Sequence, residues 1–151
     1  MKPGISESSS QHYFHKTAGL GLVRACVQRA DGTSDLVLQG LARVRLKGFL
    51  EEEPFRIAQL SELSSSRGPA AEADALATKL IELCADVREH CGGIPEKIEE
   101  QLAKMADPEV LGDVIANTFL HDAERRQELL EELDVPARLR GLIRELRAQI
   151  A

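Results

Sequence analysis

The sequence predicts an α+β fold: a small antiparallel sheet with strands within about residues 10–62, then a four- to five-helix bundle over about 70–150. Three observations carry this expectation. Asp31-Gly32 stands between two runs of β-type alternation, which is a strong short-range hairpin signal. The period of the apolar residues changes from two to 3.6 across the breaker Ser64-Ser-Ser-Arg-Gly-Pro69. Beyond it, Asp107-Pro108, Asp122 and Asp134-Val-Pro136 each have the chemistry of a helix start.

In the first half, Val23, Ala25 and Val27 alternate with Arg24 and Gln28 on the incoming strand. The two-residue sequence Asp31-Gly32 suits a type I′ turn, in which both central residues have positive φ. Leu36, Val37 and Leu38 form the outgoing strand, expected to stop at a second turn at Gly40. A third strand is expected after Gly40, with Val44 and Leu46 opposing the cationic face of Arg43, Arg45 and Lys47. Glu51-Glu-Glu-Pro54 is a charged turn, and Phe55 to Leu60 alternates as a further strand. Residues 1–67 thus form a β meander, and 64–69 are expected to be a linker.

The helices follow. Leu76, Leu80, Leu83, Cys84, Val87 and Cys91 lie on one helical face, closed by Gly92-Gly93. Pro95 suits the start of the next helix, whose apolar face is Ile98, Leu102 and Met105. The helix after Asp107 carries Val110, Leu111, Val114, Ile115, Thr118 and Phe119. Asp122 caps a short helix with Leu129, Leu130 and Leu133. Leu139, Leu142, Ile143, Leu146 and Ile150 complete the last one. The bundle occupies 70–151 and, with the meander, makes one domain.

Composition narrows the function. The 151 residues carry a formal charge of −6 and are poor in aromatics, so the core is aliphatic. Residues 1–67 hold nine Lys/Arg against seven Asp/Glu; residues 68–151 hold ten against eighteen. An acidic half of this kind disfavours nucleic acid as a partner. No apolar run approaches the ~18 residues that cross a bilayer, and the first residues, Met1 to Ser10, have no apolar core of a secretory signal. Three cysteines, an odd number, fit a reducing cytoplasm; Cys26, Cys84 and Cys91 are expected to be packing residues. His12 and His15 flank Tyr13-Phe14, but no Cys, Asp or Glu nearby completes a metal-ligand set.

Two groups of residues carry a family resemblance. The meander, with Asp31-Gly32, Gln39-Gly40 and Arg43-Val-Arg45, resembles the centre of the substrate-binding amino-terminal domain of Lon-type proteases. In the helical half, Leu111-Gly-Asp-Val-Ile-Ala116, Gln127-Glu-Leu-Leu-Glu131 and Asp134-Val-Pro-Ala-Arg-Leu139 are similar to the end of the same domain, in the same order. The resemblance spans about residues 19–148. It implies a PUA-like sheet, here a partial barrel, ahead of the bundle, and a module that binds unfolded or hydrophobic polypeptide. The family domain ordinarily begins with two further strands and a helix, so the chain is expected to start inside the family pattern, as a stand-alone domain that lacks the first strands. An exposed sheet edge and homo-oligomerisation through it follow from that expectation.

No catalytic inventory stands beside this. There is no Gly-x-x-x-x-Gly-Lys-[Ser/Thr] loop, and no serine lies in a Gly-x-Ser-x-Gly turn. The carboxylate groups at Glu51–Glu53, Glu99-Glu100 and Glu131-Glu132 are expected to be solvated, and His90 and His121 to sit at helix ends. The chain is expected to be no enzyme and to need no cofactor or metal. The candidate contacts for polypeptide are Phe49, Leu50 and Phe55, which flank the charged turn; the other reading has these phenylalanines plug the end of the sheet. The alternative functions are an RNA-binding module using Arg24, Arg43, Arg45 and Lys47, since PUA-like sheets also serve RNA-binding proteins, and an interaction domain without a client role.

Overall fold

A computed structural model describes residues 14–51, 53–92 and 97–151. Its elements are strands β1 (Thr17–Gln28), β2 (Ser34–Glu51) and β3 (Ile57–Leu63), then helices α1 (Ala70–Cys91), α2 (Lys97–Leu102), α3 (Pro108–Phe119), α4 (Ala123–Glu131) and α5 (Val135–Ile150). The chain divides into two compact units, Met1–Ser64 and Ser65–Ala151. Sheet followed by helices is the α+β architecture that the alternation and the period change predict.

The first unit is an antiparallel sheet in the order β1-β2-β3. Thr17 pairs with Arg45 at one end of the hairpin and Gln28 with Ser34 at the other; Arg43 pairs with Leu63 on the far side. The expected turn at Gly40 and the separate third strand are not present. β2 runs unbroken through Gly40, which pairs with Gly21. The register instead steps over Leu41, and again over Arg24 on β1 and over Lys47 and Leu50 on β2. Each step is a bulge, one extra residue that bends and twists a long strand without ending it.

The turn also differs from the expected form. Among the described residues no residue but glycine has positive φ, and of the Asp31-Gly32 pair only Gly32 does, at 85°. Arg29 N–H bonds to Thr33 O at 2.8 Å, and Gly32 N–H to Arg29 O at 3.1 Å. This closes a three-residue loop, in which a left-handed residue follows a turn of ordinary hand. Asp31 acts through its side chain: the carboxylate accepts from Thr33 N–H at 2.9 Å and from the Thr33 hydroxyl at 2.6 Å. Those bonds, the hydroxyl's first, hold its carboxyl below the usual range.

The second unit has its own core. Leu80, Leu83, Cys84 and Val87 of α1 meet Leu111, Ile115 and Phe119 of α3 and Leu139, Leu142 and Leu146 of α5. Leu102 of α2 is fully buried, with Ile98 and Met105 packed against the cluster, as their spacing predicts. A Cβ on Gly112 would meet Leu139 Cδ2 at 2.6 Å, so α3 and α5 approach as closely as glycine allows. The caps are those predicted. Asp107 accepts from Glu109 N–H, Asp122 from Glu124 and Arg125 N–H, and Asp134 from Ala137 N–H. Gly92 ends α1 at φ 67°, whereas Gly93 and Pro95 lie outside the described residues.

Three expectations here need correction. Cys91 and Val110 are exposed, because each sits at a helix end where the apolar stripe turns outward. Leu133 falls beyond α4, in the connection to α5. Residues 65–68 are no free linker: Ser66 forms a parallel bridge with Asp134, its N–H on Leu133 O and its carbonyl accepting from Val135 N–H, both at 2.8 Å. Among the described residues no helix is long and apolar enough to cross a membrane.

Candidate functional site

At the β2–β3 end of the sheet, the bulge after Phe49 leaves Leu50 without a cross-strand partner, while Phe49 pairs with Ala58 and Glu51 with Ile57. A bulge re-aims a side chain, and Leu50 is 61% exposed. Phe55 was expected as the first residue of a strand, but β3 begins at Ile57, and Phe55 stands in the bend before it at 67% exposure. Phe49 is half-buried. Its ring meets Phe14 edge-to-face, with centroids 5.6 Å apart and planes at 65°. The Arg56 guanidinium lies 4.9 Å from the Phe14 ring centroid and 5.7 Å from that of Phe49. A cation over two aromatic faces is attracted by both ring quadrupoles. Phe49 is therefore part of a base, and Leu50 and Phe55 are the two side chains held out from it. Phe14 and Arg56 escaped the sequence reading, because neither has a periodic signal and both are brought together only by the distant contact of Phe14 with Phe49 on β2.

The remaining candidates are distributed differently. Asp31 and Gly32 form the hairpin turn, and Gly40 sits within β2. Arg24 Nε donates to Gln39 Oε1 at 2.7 Å across the hairpin, so it does not join Arg43, Arg45 and Lys47 in one line. Cys26 is exposed on β1 where a packing residue was expected. Cys84 is the buried thiol; burial, with the charge of Glu99 adding to it, pushes its pKa from 9.0 to about 12. Glu99 was expected to be solvated but pairs with Arg88 of α1. His90 Nδ1 lies 2.8 Å from Asp86 O near the end of α1. Among the described residues no group of His, Cys, Asp and Glu is arranged to hold a metal ion; His12 and Tyr13 lie outside them.

The helical unit contains a polar cluster that sequence reasoning missed. Arg138 is 2% exposed. Its guanidinium donates to Glu132 O at 2.8 Å, Ser65 Oγ at 3.1 Å, Glu109 Oε1 at 3.2 Å and Asp113 Oδ1 at 3.5 Å. Ser65 Oγ also donates to Glu109, and Arg67 bonds Asp107 Oδ2 at 3.0 Å. Those bonds tie the segment Ser65–Arg67 to α3 and α5. A signal for this existed: Arg138 falls on the apolar stripe of Val135, Leu139 and Leu142, and a buried cation requires partners.

The chain is 25% identical over 131 residues to the Lon protease of Desulfosudis oleivorans, covering 87% of this chain and 16% of that protein. It is 30% identical over 130 residues to the Lon protease of Syntrophus aciditrophicus, covering 85% and 16%. To Lon protease 2 of Myxococcus xanthus it is 32% identical over 114 residues, covering 74% and 13%. The chain thus spans about one sixth of the length of these relatives. In fold it is similar to the N-terminal domain of Mycobacterium avium complex Lon protease, with a TM-score of 0.73 at 21% identity, covering 91% of this chain and 73% of that one. Residues 2–148 match the family model described as the ATP-dependent protease La (LON) substrate-binding domain, and the chain belongs to that family.

Proposed function

We propose that the chain is a non-catalytic recognition module that takes extended, apolar stretches of unfolded polypeptide at the β2–β3 end of its sheet. The observation that carries this reading is the pair Leu50 and Phe55, each more than 60% exposed, beside a base of Phe49, Phe14 and Arg56. Exposed apolar side chains on a pre-formed support bind without a large ordering cost, and small clusters of that kind dominate interface energetics. Membership of a substrate-binding family supports the same reading, and the matched segment is that domain alone. Peptidase and ATPase activity are not expected of this chain, which has none of the phosphate-cradling or nucleophile motifs sought in its sequence.

Fluorescence anisotropy with a labelled, reduced and carboxymethylated polypeptide tests the proposal. The double variant Leu50→Ser, Phe55→Ser is expected to bind roughly 30- to 1000-fold more weakly, since truncating two anchors removes about 1–2 kcal/mol each. Equal affinity for both proteins sinks it. Binding of RNA instead, with an affinity that falls steeply with salt, would move the function to the cationic strand positions.

A further inference from the structure

The distal half of the β1–β2 hairpin, away from the site above, has an apolar face that is exposed among the described residues. β2 is regular from Ser34 to Gly40, so Ser34, Leu36, Leu38 and Gly40 share one side, with their partners Gln28, Cys26, Val23 and Gly21. Val23, Leu36 and Leu38 are each more than half exposed. The charged residues of this region are elsewhere or already paired. Arg24 reaches Gln39 on the opposite side, and Arg29 grips Asp35 through two bonds at 2.7 and 3.0 Å. The face therefore carries no charged side chain in a chain of formal charge −6. Uncharged apolar surface on a molecule that otherwise repels its own copies is where copies can meet.

The layout of the face is self-complementary. Leu38 and Leu36 sit at equal distances on either side of its middle, at Val37. Rotating a second copy about a two-fold axis there lays Leu38 of one against Leu36 of the other. The same rotation sets Ser34 and Gln28 over Gly40 and Gly21. Gly40 has no positive φ, and a Cβ there would find nothing within 4 Å, so the chain's own fold does not require glycine at that place. That open space is where the rotation sets the Ser34 side chain of the facing copy. Beyond the apolar rows, the register continues past Gly19–Arg43 to Thr17–Arg45 at one end, and the turn with the Asp31 carboxylate closes the other. The two-fold brings the cationic end of each copy to the acidic turn of its partner.

From this we infer that two copies of the chain associate as an isologous pair, packing the Leu36–Leu38 faces of their hairpins antiparallel to each other. Such a pair is a small sandwich with the sheets ~10 Å apart. The face offers on the order of 500 Å² per copy, at the low end of specific interfaces, so association in the micromolar range is expected.

Sedimentation velocity over a micromolar concentration series, on the whole chain, tests the pairing. The expected result is a monomer–dimer equilibrium. Leu36→Lys and Leu38→Glu, each made alone, should weaken it about 100-fold by burying an unpaired charge. An equimolar mixture of the two variants should recover the dimer, because the new lysine of one meets the new glutamate of the other. Both side chains are solvent-exposed, so circular dichroism should show the fold retained. Cysteine alkylation adds a built-in readout: Cys26 should react more slowly as the dimer fills, while exposed Cys91 keeps its rate and buried Cys84 stays unreactive. A wild-type monomer at every concentration overturns the proposal, as does growth beyond the dimer, or a mixture that fails to associate. A monomer whose Leu38→Glu variant loses polypeptide binding would assign the face to a client, and also overturns it. The Leu50 and Phe55 experiment is independent of all these outcomes.

Discussion

The sheet unit and the helical unit solve the same problem in opposite ways. In the helical unit, five amphipathic helices turn their apolar stripes toward one another, and Leu80, Leu102, Ile115, Leu139 and Leu146 reach zero exposure. In the sheet unit, Val44 and Thr17 are the buried residues among those described, and Leu36, Val37, Leu38 and Leu41 stand in the open. A helix can bury its stripe against any neighbour of the same chain. A sheet has two faces and two edges, and three strands cover none of them. The contrast is what the proposed function rests on: the bundle has a buried core of its own, and the sheet exposes apolar surface.

The contrast is broken most directly by trimming one leucine in each unit. Leu139→Ala should destabilise the helical unit by roughly 3–4 kcal/mol, since it removes fully buried methyl groups beside the Gly112 contact. Leu38→Ala should change stability by less than about 0.5 kcal/mol in dilute monomer, because its side chain is already in water. Urea denaturation of both variants decides it; a large loss for Leu38→Ala would mean that the sheet face is covered.

Arg138→Ala comes next, at about 2–4 kcal/mol, because it removes the buried guanidinium that bonds Glu132 O, Ser65 and Glu109. It also sharpens the comparison. The segment Ser65–Arg67 is held to the helices by that cluster, so the variant should speed proteolytic cleavage between residues 64 and 69. Cleavage as slow as in the wild type would show that the Ser66–Asp134 bridge and the Arg67–Asp107 bond hold the segment without Arg138.

A smaller loss than at Leu139 or Arg138 is expected at the hairpin turn. Gly32→Val should cost about 1–2 kcal/mol of hairpin stability, because a β-branched residue resists a φ of 85°, although the space around the position is open. Faster amide exchange in residues 20–38, with the bundle amides unchanged, is the expected signature. An unaltered hairpin would show that Asp31 and its bonds to Thr33 carry the turn by themselves.

These outcomes divide along a line already visible in the sequence. The period of 3.6, the aspartate caps at 107, 122 and 134, and the change of period after residue 69 are local features. A helix bond spans four residues and a cap bond two or three, so the sequence alone determined the helices, the starts capped by Asp107, Asp122 and Asp134, and the buried stripes away from the helix ends. Alternation likewise determined that the first half is a sheet, and the Asp31-Gly32 dipeptide where its hairpin turns. Tertiary structure decided everything that depends on a distant partner. A glycine in a strand marks a turn or a bulge with the same letter, and only pairing with Gly21 made Gly40 part of one continuous β2. Ser65 and Arg138, seventy-three residues apart, had to meet before a breaker became a strap and a helix cation became a buried tie. The placing of Leu50 and Phe55 in water followed from a bulge and from a strand that begins two residues late. Burial is a property of what stands opposite, and for a strand that neighbour is chosen by the fold and not by the residues beside it in the chain.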